Sequence, residues 1–349
     1  MIAKRLLALA TVSMLALAAC SSNAEQSATP APTDDNCAAA ENFCIGLVTD
    51  LGKVDDKSFN QSAWEGAQQA ATDLGGFAKY IETQSTNDYA ANIKQFTDKK
   101  YDVIVTVGFL MAEATVTAAK AYPDTKFIGV DQGQAETVDN LTGLIFPEDQ
   151  AGYAAGYLAG LLTKSNKLGQ VLGMEIPPVQ RFALGFEAGA KAANPKVTVT
   201  TVYHPAADNA FTDPEWGAAE ASKQLTQGAD VIFGAGGKTG NGALGEIAKA
   251  TGAGTSIFCI GVDTDQWGTV PEAQPCLVTS AMKLITQGVV DLIKQANDGT
   301  IAGGNFTGQT GLADYHDFAS VVSEDIQSQV ASVVAGLKDG SITTGVTLG

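Results

Sequence analysis

Residues 103–131 read VIVTVGFLMAEATVTAAKAYPDTKFIGVD. They begin with a continuous β-branched run, 103–107, of the kind that is buried on both faces of a parallel sheet. Helix-forming residues follow at 111–121, and a second strand-like run, 126–131, ends on a carboxylate. A strand, a helix of about 10–15 residues and a further strand make up a βαβ unit, so this stretch predicts a parallel α/β sheet.

The same alternation of strands and helices extends through the rest of the chain. The further predicted strands are 44–50, 79–83, 168–172, 197–203, 230–234, 256–263 and 276–279. The further predicted helices are 62–74, 89–100, 152–163, 180–193, 216–228, 241–251, 282–297 and 323–337. The roughly 310 residues that follow the N-terminal segment exceed the size at which one core usually stops growing, which favours two domains.

Two successive α/β halves joined by late crossings resemble the type I periplasmic binding proteins, in which two Rossmann-like lobes with parallel sheets enclose a ligand cleft. On this resemblance we expect lobe 1 to comprise residues 42–147 plus 281–312. We expect lobe 2 to comprise residues 148–280 plus 313–349.

The N-terminus has the pattern of an export signal. Lys4 and Arg5 precede an apolar run, 6–17, that is too short to be a permanent membrane span. The run leads to Cys20 in the sequence LAAC, which resembles the lipobox of bacterial lipoproteins. This resemblance implies a signal peptide over 1–19, diacylglycerol on Cys20, and a lipid-anchored protein on the outer face of the bacterial cell membrane. An ordinary signal peptide with an incidental cysteine is the alternative.

Residues 20–41 are rich in Ser, Ala, Thr and Pro and poor in large apolar residues. Such a segment buries too little surface to offset its ordering entropy, so it predicts a flexible tether.

The charge balance excludes some partners. The chain has 21 basic and 38 acidic residues, a formal net charge of −17, which disfavours nucleic acids and polyanionic ligands. The two histidines, His204 and His316, are far apart in sequence and have no ligand-like neighbours, so we expect neither a metal nor another cofactor. A neutral polar ligand or a cation remains compatible with this charge.

Four cysteines remain besides Cys20. An even number of cysteines in an exported protein favours disulfides, and the pairs that close short loops are Cys37–Cys44 and Cys259–Cys276. Unpaired thiols are the alternative.

Ligands of open parallel sheets collect beyond the carboxyl ends of the strands. The chemically notable residues at these predicted ends are Asp55, Asp56, Ser58, Phe59, Asn60, Phe109, Asp131, Phe211, the glycine-rich segment 234–242, and Asp263. A carboxylate such as that of Asp263 can accept hydrogen bonds from two adjacent hydroxyls, as in a ribose. Two phenyl rings could cover both faces of a flat base. The alternative for Asp56, Ser58 and Asn60 is helix capping, with Phe59 as a hydrophobic staple.

A dehydrogenase is the competing enzyme interpretation. Gly240, Gly242 and Gly245 have the spacing of a dinucleotide fingerprint, and Asp263 follows 18 residues after Gly245. An exported protein is badly placed to regenerate a nicotinamide cofactor, and the sequence shows no nucleophile–base arrangement. We therefore expect a binding protein and not an enzyme.

Residues 56–66 read DKSFNQSAWEG, which resembles the signature of the basic membrane protein family of purine-nucleoside-binding lipoproteins. Further segments resemble that family's motifs in the same order: VGF at 107–109, GFEAG at 185–189, FTDP at 211–214, GGKTGNG at 236–242 and GVDTDQ at 261–266. The resemblance extends over residues 44–349.

The resemblance implies a purine nucleoside (inosine, guanosine or adenosine) as ligand and the permease of an ATP-driven (ABC) importer as partner. We expect the protein to be a monomer. By analogy, Phe59 and Phe211 stack on the base, with Phe109 nearby, and the base edge is bonded by Asp56, Asn60 and Asp131. By the same analogy, the ribose is held by Gly236, Asp263 and Lys283. Lys238 departs from the family pattern. A sugar, another flat heterocycle such as a flavin, or a sensory role remain alternatives.

Overall fold

The computed structural model describes residues 31–348. The predicted signal peptide and the predicted lipidation of Cys20 lie outside the described residues. Each helix within residues 31–348 is too short or too polar to span a lipid bilayer.

The first part of the chain alternates strands and helices and then crosses to a second set of the same kind. The first set is β1 (Cys44–Leu51), α1 (Phe59–Leu74), β2 (Phe77–Thr83), α2 (Tyr89–Asp98), β3 (Val103–Val107), α3 (Ala112–Ala121), β4 (Lys126–Val130) and β5 (Leu141–Ile145). The second set is α4 (Glu148–Leu162), β6 (Lys167–Met174), α5 (Pro177–Ala193), β7 (Thr198–His204), α6 (Pro214–Thr226), β8 (Val231–Ala235), α7 (Gly237–Ile247), β9 (Phe258–Asp263), α8 (Gln266–Thr269) and β10 (Leu277–Lys283). The chain ends with α9 (Ile285–Asn297), β11 (Gly304–Thr307), β12 (Thr310–Leu312) and α10 (Glu324–Asp339).

These strands form two six-stranded sheets with matching order. The first is β11-β5-β4-β3-β1-β2 and the second is β12-β10-β9-β8-β6-β7. All neighbours are parallel except β10 and β12, which pair antiparallel. The prediction of an α/β fold with two parallel-dominated sheets is therefore confirmed.

The central strands are buried because helices cover both faces of each sheet. All five residues of β3 and of β8 are buried. Helix α9 returns from the second sheet to pack on α1, where a Cβ at Gly66 would lie 2.8 Å from the backbone oxygen of Thr286. Glycine at 66 thus permits this close helix contact.

Three segments connect the lobes. They are residues 146–147 between β5 and α4, Leu284 between β10 and α9, and residues 308–309 between β11 and β12. The structure places the last two crossings at 284 and 308–309, and not at the expected 281 and 312. Lys283 still pairs with Thr310 in the second sheet, so β10 and β12 belong entirely to lobe 2.

Both expected disulfides, Cys37–Cys44 and Cys259–Cys276, are present. The expected tether over 20–41 is too long at its C-terminal end. Asp34 accepts hydrogen bonds from Lys79 and Tyr101, each at 2.8 Å, and it pairs with Lys99. With Cys37 buried as well, the chain is attached to lobe 1 from Asp34 onward.

Helix α7 begins at Gly237, four residues before the predicted start, so most of the glycine-rich segment 234–242 is helical. A Cβ at Gly242 would overlap the backbone oxygen of Pro214, the first residue of α6. The absence of a side chain at these glycines therefore allows α6 to pack closely on α7. A sequence pattern of strands and loops does not reveal this contact between two helices.

Candidate functional site

A cleft lies between the carboxyl ends of the strands of the two lobes. It contains about 640 Å³ of space free of protein atoms, including its open mouth. The residues that sequence analysis proposed as ligand contacts all line it: Asp56, Phe59, Asn60, Phe109, Asp131, Phe211, Gly236, Asp263 and Lys283.

The matching topology of the lobes puts one carboxylate at the end of an equivalent strand in each. Asp131 follows β4 and Asp263 ends β9, each after a Gly-Val pair. Both have positive φ angles, 62° and 64°, which are uncommon for residues other than glycine. The sharp backbone turn at these two residues leaves both carboxylates in the wall of the cleft.

Lys283 lies between these carboxylates. Its Nζ is 2.6 Å from Asp131, 3.8 Å from Glu148 and 3.9 Å from Asp263. Burial opposes the charge of Lys283, but the three carboxylates outweigh burial and raise the pKa of the ammonium. Burial also raises the pKa of Glu148 to about 8, although Lys283 acts in the opposite direction. Near neutral pH the cluster therefore keeps a charged lysine beside a largely protonated Glu148.

Asp56 caps helix α1. One of its carboxylate oxygens accepts from the backbone N–H of Ser58 at 3.0 Å and of Gln61 at 3.1 Å. The other accepts from the backbone N–H of Asn60 at 2.9 Å and from the Asn60 side-chain amide at 3.0 Å. An ionised carboxylate has about four acceptor positions, so Asp56 has none left for a base edge. This is the helix-capping alternative, and it corrects the role that the family resemblance implied for Asp56.

Aromatic rings line the cleft from both lobes. Phe59 is at the start of α1 in lobe 1, and Phe211 precedes α6 in lobe 2; both are half-buried. The ring of Phe211 lies over Gly173, where a Cβ would overlap it. Asp213, two residues later, accepts from the backbone N–H of Trp216 and so caps α6.

Asp50 and Phe182 are among the cleft residues that the sequence did not single out. Asp50, near the end of β1, could have been found by the strand-end rule, and its carboxylate accepts hydrogen bonds from Tyr89, Leu51 and Leu110. Phe182 lines the cleft from the middle of α5, where an apolar helix position gives no functional signal.

The loop of residues 55–58, which precedes α1, is held by side chains of lobe 2. The Ser58 hydroxyl donates to Asp263 at 2.7 Å, and the Lys238 ammonium is 2.6 Å from Asp55. The backbone oxygen of Asp56 accepts from Asn241 at 2.7 Å. These contacts hold the two lobes together at the mouth of the cleft.

The dehydrogenase interpretation is wrong on geometry. A dinucleotide fingerprint needs its glycines in the turn between a strand and a helix. Gly240, Gly242 and Gly245 all lie inside α7. Within the described residues, no group of side chains is arranged to hold a metal ion.

The paired α/β lobes and the cleft between their strand ends define a solute-binding protein of the ABC transport systems. A crystal structure of such a protein from Aeropyrum pernix has a TM-score of 0.72 and 28% sequence identity, covering 86% of this chain and 87% of that one. Residues 45–315 match the Bmp family, described as "ABC transporter substrate-binding protein PnrA-like". The chain belongs to this family, as the sequence motifs predicted.

Relatives in the family extend along most of the chain. The CD4+ T-cell-stimulating antigen of Listeria monocytogenes is 33% identical over 324 residues, covering 87% of this chain and 88% of that protein. The ABC transporter nucleoside-binding protein BmpA of Lactococcus lactis is 30% identical over 353 residues, covering 96% of each. The protein is thus a substrate-binding component of an ABC transporter and not an enzyme.

Proposed function

We propose that the protein binds a purine nucleoside in the cleft and delivers it to the permease of an ABC importer. In this proposal a lipid on Cys20 anchors the protein to the outer face of the bacterial cell membrane. The observation that carries the nucleoside assignment is the pair of phenyl rings, Phe59 and Phe211, that reach one cleft from opposite lobes. The name of the Lactococcus relative agrees with this assignment.

A flat base fits between two such rings because stacking buries both of its faces. Stacking on an aromatic side chain stabilises a bound base by about 1–3 kcal/mol. The rings belong to different lobes, so a base that contacts both also favours the closed arrangement of the cleft.

The sugar is assigned to Asp263 and Lys283. One oxygen of Asp263 accepts from Ser58, and the other lies 3.9 Å from the Lys283 ammonium. A ribose can donate a hydroxyl to this second oxygen and accept from the ammonium. Gly236, immediately before α7, also lines the cleft, and a Cβ there would overlap the backbone of Gly173.

The charge of the cleft favours a nucleoside over a nucleotide. Asp56, Asp131 and Asp263 are buried carboxyl groups of the cleft wall, and the one buried ammonium, that of Lys283, lies near the last two. Adding a phosphate to this set would place like charges together in a poorly screened site, which costs binding free energy.

Isothermal titration with inosine, guanosine, adenosine, ribose and riboflavin tests the assignment. We expect the nucleosides to bind, and we expect Phe59→Ala and Phe211→Ala each to weaken nucleoside binding roughly 5- to 150-fold. Ribose binding as tight as that of any nucleoside would overturn the base-stacking assignment, and binding of riboflavin alone would replace the purine with a different heterocycle.

Cell fractionation tests the anchor. Cys20→Ser should move the protein from the membrane fraction to the soluble extracytoplasmic fraction. Retention of this variant on the membrane at wild-type level would contradict lipid attachment at Cys20.

A further inference from the structure

Two buried oxygen atoms in the cleft wall lack a hydrogen-bond partner. Among residues 31–348, four buried side-chain oxygens are unsatisfied, and Asn60 Oδ1 and Asp131 Oδ1 are two of them. Both residues line the cleft. Buried polar atoms in native proteins are nearly always paired, so two acceptors at one site indicate that a bound molecule supplies the donors.

The ion pair of Asp131 determines which of its carboxylate oxygens is without a partner. Its Oδ2 lies 2.6 Å from the Lys283 ammonium, which leaves Oδ1 for another partner. A carboxylate oxygen accepts hydrogen bonds and has none to donate.

Asp56 determines the orientation of the Asn60 side-chain amide and therefore where its accepting oxygen lies. The amide nitrogen of Asn60 donates to Asp56 Oδ2 at 3.0 Å. If the amide were reversed, its oxygen would face a carboxylate oxygen that has no proton to donate, and the contact would be repulsive. Asp56 also accepts from the backbone N–H of Ser58, before α1, and from those of Asn60 and Gln61 in its first turn, so it cannot turn away without uncapping the helix. Asn60 therefore keeps its nitrogen on Asp56, and its oxygen remains the free end of the amide.

We propose that Asp56 is a positioning residue that makes Asn60 an obligatory acceptor, so that Asn60 and Asp131 together select bases whose edge donates N–H groups. This inference rests on the proposed nucleoside function and refines it. A base edge that only accepts would leave both buried oxygens unpaired and place lone pairs against them.

A series of purine nucleosides tests the selection, because its members differ in the N–H groups of the base. Purine riboside has none, inosine has one at N1, adenosine has a 6-amino group, and guanosine has both N1–H and a 2-amino group. Adenosine and purine riboside differ only in the 6-amino group and are the matched pair. We expect purine riboside to bind at least 10-fold more weakly than adenosine and guanosine.

Two variants separate positioning from simple structural support. Asn60→Ala removes one acceptor, so it should weaken adenosine and guanosine binding while purine riboside changes little, and the ratio of their affinities should shrink. Asp56→Asn presents an amide to Asn60 and permits the reversed orientation, so it should shrink the same ratio. Thermal unfolding and circular dichroism identify variants that fail to fold. If Asp56→Asn fails to fold, Asn60→Ala still tests the inference.

The outcomes distinguish this inference from the proposed function. Binding of purine riboside within about 3-fold of adenosine and guanosine by the wild-type protein would overturn the selection while leaving nucleoside binding intact. An equal loss for every nucleoside in Asp56→Asn would overturn the positioning role. Binding of none of the four would overturn the proposed function and this inference with it.

Discussion

The ammonium of Lys283, the last residue of β10, lies 2.6 Å from the carboxylate of Asp131, which follows β4 in the other sheet. The two residues are 152 positions apart in the chain. Both are buried, so the contact is an ion pair that links the lobes deep in the cleft.

Lys283→Met should lower the free energy of unfolding by about 3–5 kcal/mol at pH 8, because it leaves Asp131 and Asp263 as uncompensated buried charges. The loss should be smaller at pH 5, since protonation relieves buried carboxylates that have lost their counter-ion. Urea unfolding at the two pH values measures both effects. The matched control is Lys294→Met on α9, whose pair with Asp73 is exposed and should contribute less than about 1 kcal/mol. Equal losses in the two variants would contradict the importance of the buried cluster.

The raised pKa of Glu148 predicts how stability depends on pH. Burial raises the pKa of this carboxyl from 4.5 to about 8. Between these pH values the folded protein holds a proton that the unfolded chain has lost, so the free energy of unfolding should fall as pH rises from about 4.5 to about 8. Below and above that window the contribution of Glu148 should be constant. Denaturant unfolding from pH 5 to pH 8.5 measures this dependence.

Glu148→Gln should flatten that pH dependence, because glutamine does not titrate. The control is Glu187→Gln on α5, where the carboxylate forms a surface pair with Lys191. If Glu148→Gln retained the wild-type slope between pH 5 and pH 8, the buried carboxyl would not be the cause of it.

The ion pair between Lys238 and Asp55 should slow ligand release. It joins α7 to the loop of residues 55–58 across the mouth of the cleft, with side-chain exposures of 33% and 64%. A pair this exposed contributes at most about 1 kcal/mol, so Lys238→Met should raise the dissociation rate by no more than about 5-fold, and less at high salt. Stopped-flow displacement of bound nucleoside measures the rate. The charge-reversed double variant, Asp55→Lys with Lys238→Glu, should restore most of the slow release, and failure to do so would argue against a direct pair.

Two glycines of α7 should respond in opposite ways to alanine. A Cβ at Gly242 would overlap the backbone oxygen of Pro214, whereas a Cβ at Gly245 would meet only Glu272, at 3.9 Å. Gly242→Ala should therefore destabilise the protein by about 1–3 kcal/mol through overpacking. Gly245→Ala should stabilise it by up to about 1 kcal/mol through helix propensity. Chemical denaturation of both variants gives the comparison, and a destabilised Gly245→Ala would contradict the ordinary van der Waals spacing at this position.

The long strands and helices were predictable because their signals are local. The β-branched run at 103–107 is β3 to the residue, and the first strand was found within one residue of its end. Strands β5, β11 and β12 were missed, and the last two have only four and three residues. Such short runs become strands through pairing with distant neighbours, which a local pattern does not contain.

The sequence predicted which residues lie at the site better than it predicted what each of them contacts. Parallel strands bring their carboxyl ends to one edge, which is why Asp131 and Asp263 were found by position alone. The saturation of Asp56 depends on the local path of the backbone into α1, and the place of Lys283 among three carboxylates depends on how the lobes meet. The spacing of residues along the chain contains neither the backbone path at Asp56 nor the approach of the two lobes at Lys283.

Because the chain passes between the lobes three times, neither lobe can complete its sheet early in synthesis. Residues 277–283 and 310–312 complete the second sheet, and residues 304–307 complete the first. A fragment that stops before residue 277 would leave both sheets short of edge strands and α1 without the cover of α9. Neither lobe can therefore complete its sheet until the last quarter of the polypeptide is present. No single cut of the chain yields two pieces that each contain a complete lobe.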